Sequence, residues 1–362
     1  VIALLGGYGA VGLAAARCLE RAGLGPLRLG GRRPETARAR GGVPGGATTL
    51  ERVDLEDDAS LAAFLRGCAL VVNCAGPSHR AAARVARAAA AAGLPHVDAG
   101  GAGLERRDDL GGGTSIFAAG ALPGLSGMLP RWLAARFDRV EALTVQTGVL
   151  DRFTAAGAED FLAGLFDAPS ASMAPPLARP AVGLSGGRAR RWQTLPFFPG
   201  EVMVTPYCDS ESRAVARALG VSDSHWAQVS HGEHLPAALD AAPGLDRAEA
   251  VRLLCRAAEL DLAGRAPAMR MVVRIDGVVG GVPAGRTAVM HADGVAPLAG
   301  AVVAAVAALV RRGRLPSGRY AAGSIADPAP VIAALSAMPE IEGPIVLNRP
   351  GHAAEDFIEG AL

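Results

Sequence analysis

Three glycines follow the apolar run at residues 1–5 with the spacing Gly7-x-Gly9-x-x-Gly12. The chemistry this spacing serves is the holding of a pyrophosphate. The first glycine permits a tight turn, the second lets the phosphates approach the backbone, and the third lets a helix pack close to its strand. That helix then offers free N–H groups and the positive end of its dipole to the anion. The intervening residues Tyr8, Ala10 and Val11 belong to the same cradle. One strand later, a site that reads an unmodified ribose would carry an acid, to accept the 2′-hydroxyl. Here Gly30 and Gly31 stand in that region and Arg32 and Arg33 follow. No carboxylate repels a phosphate there, and two guanidinium groups supply planar donors for one. The pattern predicts NADP(H) as the cofactor.

Further along, Asp54 ends the third apolar run, a usual position for a side chain beside the adenine. The fourth run closes on Cys74, Ala75, Gly76 and Pro77, small residues that let a loop pass the nicotinamide-side ribose. Asp98 ends the fifth, aimed at the same carboxyl edge of the sheet, where open α/β sheets bind ligands. It is a candidate for catalysis or for capping.

Proton donors are sought among three histidines close together in SHWAQVSHGEHLP, of which His225 and His231 are the candidates. The HGEH segment, with Glu233 and His234, lacks the spacing of a zinc motif, so no metal is expected. Tyr207, one of only three tyrosines, is a candidate for catalysis or for lining the site, with simple packing as the alternative. Arg270 and Arg274 lie four residues apart on an expected strand and so share a face, where they could grip a substrate carboxylate. Arg131, Arg152 and Arg286 are weaker candidates for that role.

These residues need a scaffold of some size. The chain has 362 residues, half of them hydrophobic, with a formal net charge of +1. Its length points to two domains, and its charge offers no general attraction to nucleic acid or anionic membrane. Every one of the 36 basic residues counted as lysine or arginine is arginine. A lysine Schiff base, a P-loop lysine and a Tyr-Lys catalytic pair are therefore excluded. Five cysteines without a CxxC spacing read as reduced thiols, which places the expected location in the cytoplasm. The apolar stretch 295–312 reads as a buried helix opened near Pro297, not as a membrane span.

Strands are expected over 1–5, 26–29, 48–53, 69–73, 95–98 and 115–118, with helices near 10–22, 34–40, 58–67 and 78–92. This alternation implies a doubly wound parallel sheet. From about residue 139 the style changes to longer β-rich runs, 140–150, 190–198 and 269–279, broken by a helix over 246–260 that opens on an Asp246/Glu249 capping box. The stretch 168–188, rich in Pro, Ser and Gly, is expected to be a loop. The resulting division is a nucleotide-binding domain over 1–138, an inserted α/β substrate domain with a mixed sheet over 139–290, and a C-terminal return to the first domain over 291–362.

The segments LLGGYGAVG, LGGRR, VVNCAGP, HVDAGG and GALPGLSGMLPRWLA together resemble the saccharopine dehydrogenase family, above all its NADP-dependent saccharopine reductase branch. The resemblance covers residues 1–137 and extends to the helix and glycine of 290–325. It implies a Rossmann domain with an inserted α/β domain and substrate in the cleft between them. It also implies hydride transfer to an imine made from a carbonyl and an amine, on an amino-acid-derived metabolite. Relatives include trans-acting enoyl reductases, which reduce C=C bonds of carrier-bound chains, and a non-catalytic NADP-binding sensor is the reading from another class. Two departures stand out: DAGGAGLERR lacks the aromatic and acid that usually continue the fifth strand, and AAGSIADPAP replaces a common Pro-Glu. The expected partners are a small-molecule substrate, which the enoyl reductase reading would present on a carrier, and a second copy in a homodimer. Neither nucleic acid nor membrane is expected.

Overall fold

β1 (Ile2–Leu5) is four consecutive buried apolar residues, the pattern of a strand covered on both faces. The computed structural model describes residues 1–35, 37, 42–166 and 191–350. β1 sits at the centre of a parallel sheet with β2 (Leu27–Gly31), β3 (Thr48–Arg52), β4 (Leu70–Asn73), β5 (His96–Asp98), β6 (Ser115–Phe117) and β13 (Arg319–Ala321), in the order β13-β6-β5-β4-β1-β2-β3. All its pairings are parallel. The strand order reverses between β1 and β4, which opens a crevice at their carboxyl ends. α1 (Ala10–Arg21), α2 (Asp58–Leu65), α3 (Ser78–Ala91) and α4 (Leu125–Ala134) follow β1, β3, β4 and β6. The expected helix over 34–40 lies partly outside the described residues.

α1 buries Gly12, Ala14, Ala15, Ala16, Cys18 and Leu19. Against its alanine face packs α9 (Val295–Arg311), the alanine-rich stretch that approaches membrane length. A Cβ on Gly300 would lie 2.6 Å from Ala14 Cβ, so the close approach of the two helices requires a glycine there. No described helix is long and apolar enough to cross a membrane. The first compact unit thus comprises Val1–Met128 and Val295–Ile341, including α10 (Ala329–Ser336).

The second unit, Leu129–Gly294 and the residues from Glu342, is built on a mixed sheet in the order β14-β12-β11-β7-β10-β9-β8. Its strands are β7 (Arg139–Leu150), β8 (Arg191–Thr194), β9 (Glu201–Pro206), β10 (Asp223–Ser230), β11 (Ala268–Val279), β12 (Val282–Ala292) and β14 (Ile341–Pro350). β7 and β10 run parallel, while β11 pairs antiparallel with β7 and β12. α5 (Ala155–Phe166), α6 (Ser210–Leu219), α7 (His234–Ala241) and α8 (Arg247–Leu262) complete it. Leu162, Leu239 and Leu254 anchor an apolar cluster shared by α5, α7 and α8. The capping box that opens α8 is present: Asp246 Oδ1 accepts from the Glu249 N–H at 2.8 Å and Glu249 Oε2 accepts from the Asp246 N–H at 3.4 Å.

The C-terminal stretch divides differently from the expectation of a single return over 291–362. Val295–Ile341 joins the first unit, whereas β14 extends the second sheet at its edge. The β-rich run expected over 190–198 shrinks to Arg191–Thr194 and then turns, and the loop expected over 168–188 lies outside the described residues.

Candidate functional site

The glycine turn is tighter than the Gly7-Gly9-Gly12 spacing alone indicates, because Gly6 is part of it. Gly6 has φ +69°, and a Cβ there would lie 2.5 Å from the Ala75 nitrogen and 2.6 Å from the Cys74 carbonyl carbon. The turn after β1 and the loop after β4 therefore touch backbone to backbone at the point where the strand order reverses. At Gly12 a Cβ would come within 2.3 Å of the Gly6 carbonyl oxygen, so no side chain fits between α1 and the turn. Gly9 caps α1 without a side-chain acceptor, and the first turn holds no acidic residue. The N–H groups of Ala10, Val11 and Gly12 have no acceptor within the helix, and the dipole adds its positive end. The donors, the missing side chains and the missing acid fit a pyrophosphate.

Tyr8 reaches sideways from this turn. Its hydroxyl lies 2.7 Å from the Glu51 carbonyl oxygen on β3 and 3.1 Å from the Leu29 carbonyl oxygen on β2. Its ring covers Gly31, whose Cβ would meet Tyr8 Cδ2 at 2.5 Å. Arg32 and Arg33 come next and are exposed. Asp54 is exposed beyond β3, where its Oδ1 accepts the Glu56 N–H at 3.0 Å.

On the other side of the crevice, Asn73 and Asp98 end β4 and β5 and are 0% and 1% exposed. Asn73 Nδ2 donates to Asp98 Oδ2 at 2.7 Å, and Asn73 Oδ1 accepts from the Ala75 N–H at 3.1 Å. The other oxygen of Asp98 accepts from the Gly100 N–H at 2.8 Å. Both loops at the crevice rim are thus tied to one buried carboxylate–amide pair. Asp98 is therefore placed as a brace, and the expectation of a catalytic role meets a carboxylate whose oxygens are both engaged inside the protein. Burial, helped by the charge of Asp98, pushes the Cys74 thiol far up, so it stays protonated. Asn73 stands in VVNCAGP, a segment read for its small residues. The sequence signal for Gly6 is the doubled glycine, which admits a Gly6-x-x-Gly9-x-x-Gly12 register as well.

The second unit holds the remaining candidates. Strand register puts His225, Thr144, Arg274 and Thr287 in one row across the sheet, and Val229, Gly148, Arg270 and His291 in another on the same face. His231 follows β10 on this face, its ring 6.0 Å from that of Phe198. Arg270 donates through Nη1 to the Phe197 carbonyl, while its buried Nε has no hydrogen-bond partner. His291 Nδ1 is likewise buried without one. Arg274 is engaged with Asp276 at 2.9 Å, and His225 Nε2 lies 2.8 Å from Asp223. Burial, then the charges of Arg265 and Arg270, push the His231 imidazole below its ordinary value, which favours the neutral ring. The HGEH segment is a turn into α7: Asp261 accepts the His234 and Leu235 N–H groups at 3.1 and 2.8 Å. Of the alternatives for Tyr207, the structure shows packing. It is buried edge-on against Trp226, which belongs to the opposite face of the sheet, and burial followed by Asp209 and Glu211 raises its hydroxyl well above the ordinary range.

A parallel sheet of this order with a glycine-rich turn at its switch point defines the first unit as a Rossmann dinucleotide-binding domain. Residues 2–115 match the family model of the saccharopine dehydrogenase NADP binding domain. The nucleotide domain belongs to that family, its cofactor is NADP(H), and the chain is a saccharopine dehydrogenase-like oxidoreductase. Among solved structures, the fold is similar to apo saccharopine dehydrogenase (L-Glu forming) from Saccharomyces cerevisiae. That likeness has 14% identity and a TM-score of 0.62, over 92% of this chain and 96% of that one. An NADPH-dependent quinone oxidoreductase from Escherichia coli matches at 24% identity and TM-score 0.23, over 27% of this chain and 34% of the other. No curated protein matches the sequence.

Proposed function

We propose that this oxidoreductase is an NADPH-dependent reductase of the saccharopine reductase type, acting on an imine formed from a carbonyl and an amine of an amino-acid-derived metabolite. The observation that carries this reading is Arg270, a half-buried guanidinium on the sheet face that bears Phe198, with an unpartnered Nε beside His231. A planar, partly desolvated guanidinium of this kind suits a carboxylate. The likeness in fold to the yeast saccharopine dehydrogenase supports it.

When bound, the cofactor supplies the hydride. The protein's own part begins at α1, where the N–H groups of Ala10, Val11 and Gly12 hold the pyrophosphate. Arg32 and Arg33 hold the 2′-phosphate, with Asp54 near the adenine. The loop Cys74–Pro77, pinned by Asn73 and Asp98, would border the nicotinamide side of the bound cofactor. Arg270 orients the substrate carboxylate. With no lysine in the chain, the imine is made by the two substrates themselves. Its nitrogen takes a proton from solvent or from a substrate group, since the neutral form of His231 is favoured and Tyr207 is buried.

The test follows loss of NADPH absorbance on adding aldehyde–amine pairs and, separately, enoyl thioesters. Consumption only when aldehyde and amine are present together is the expected result. Consumption with enoyl thioesters alone overturns the reading in favour of C=C reduction, and tight cofactor binding without turnover on either panel overturns it in favour of a sensor.

A further inference from the structure

Cofactor choice in this cradle is set by more than the two arginines. The end of β2 is where a carboxylate for the ribose 2′-hydroxyl would be borne, and packing excludes a side chain from both of its positions. At Gly30, a Cβ would lie 2.5 Å from Phe64 Cζ and 2.7 Å from Val53 Cγ1, two residues of the apolar cluster under β3 and α2. At Gly31 the obstacle is the Tyr8 ring, with Cδ2 at 2.5 Å and Cε2 at 2.8 Å. Phe64 and Val53 are core residues, whereas Tyr8 comes from the pyrophosphate turn and is only partly buried. The ring is not free to swing aside. Its hydroxyl is held by carbonyl groups of two neighbouring strands, Leu29 on β2 and Glu51 on β3. The first residue after the strand that can carry a side chain toward the nucleotide is then Arg32.

We propose that Tyr8 is a specificity-determining residue for the cofactor. Its ring fills the space that a ribose-binding carboxylate on the end of β2 needs, so the site accepts a 2′-phosphate and has no room to be converted for a free 2′-hydroxyl by a single substitution at Gly31. The inference rests on NADP(H) binding at this cradle and not on the substrate, and its test reads binding alone. Failure of imine reduction leaves it standing, and its own failure leaves imine reduction standing.

Dissociation constants for NADPH and NADH are measured by cofactor fluorescence for the wild type, Tyr8→Ala, Gly31→Asp and Tyr8→Ala/Gly31→Asp. Gly31→Asp alone is expected to lose NADPH at least tenfold without gaining NADH. In the double variant NADH binds at least tenfold more tightly than in Gly31→Asp. Tyr8→Phe/Gly31→Asp, which keeps the ring, shows no such gain. Should Gly31→Asp alone fail to fold, the deciding comparison is the double variant against Tyr8→Ala, again with a tenfold gain in NADH affinity expected. An equal gain of NADH affinity with the ring present overturns the proposal, as does no gain when it is removed.

Discussion

Replacing Asp98 by Asn changes one oxygen for an NH₂ group and leaves the shape of the side chain intact, yet the buried hydrogen-bond circuit at the crevice cannot absorb it. Gly100 presents an N–H to position 98 and so needs an oxygen there. The introduced amide must then turn its NH₂ toward Asn73 Nδ2, now 2.7 Å from an acceptor. Turning Asn73 over does not help, because its NH₂ would then face the Ala75 N–H in place of Oδ1. One donor–donor contact is forced wherever the amides point, in a site whose two residues are 0% and 1% exposed. An unsatisfied buried group costs about 1–3 kcal/mol, which corresponds to roughly a five- to 150-fold loss in an equilibrium that needs both loops in place. Asp98→Asn is expected to lower the urea midpoint and to weaken NADPH binding. Adding Asn73→Asp repairs the circuit by reversing its polarity. The introduced carboxylate accepts from both the Ala75 N–H and the amide at 98, and that amide's oxygen still accepts from Gly100. The Asn73→Asp/Asp98→Asn protein should recover most of the stability and NADPH affinity. If it is as impaired as Asp98→Asn, the carboxylate acts by its charge at position 98, and the bracing argument is wrong.

Three further outcomes follow from the geometry. Arg32→Ala and Arg33→Ala should each weaken NADPH about tenfold, the order of one charge-assisted hydrogen bond, while changing NADH little in titration calorimetry; equal losses for both cofactors would show that the pair does not read the phosphate. Gly12→Ala drives a methyl group to 2.3 Å from the Gly6 carbonyl oxygen and should cost about 1–3 kcal/mol of overpacking strain, measured by denaturant unfolding, and loosen NADPH; an unchanged midpoint would mean that α1 can move away freely. The His231 imidazole is depressed in the folded protein by burial and by Arg265 and Arg270, so the unfolded chain binds more protons between the folded pKa and the ordinary value of about 6.5. The stability it contributes is complete above that value and is lost as pH falls through the window. His231→Asn should flatten that acid-side slope in melting curves recorded from pH 7.5 to 5, and an identical slope in the variant would assign it to other groups.

The nucleotide-binding half of the fold was legible because its strands are buried on both faces and punctuated by glycine and proline. Ile2–Leu5 and Leu70–Asn73 are continuous runs with all four residues buried. β10 reads DSHWAQVS, and polar residues stand on both of its faces, Ser224 and Gln228 beside Trp226 on one and Asp223 and His225 with Val229 on the other, so no apolar run marks it. The glycine cradle was readable from spacing, since it follows from local backbone needs. What escaped was long-range: Gly6 is required by the backbone of Cys74 and Ala75, and Asn73 matters through Asp98, 25 residues on. Nothing local to Tyr207 tells which face of the sheet its ring packs on, since that is set by Trp226 on a neighbouring strand.

The helix α9 completes the face of α1 only after nearly 300 residues of chain have been made. During synthesis, the matched stretch 2–115 emerges with the alanines of α1 uncovered and without β13 beside β6. The second unit waits in the same way for β14. Both units wait for residues beyond Gly294, and a ribosome that stops there releases a nucleotide fold with one side of its core open to whatever apolar surface is nearby.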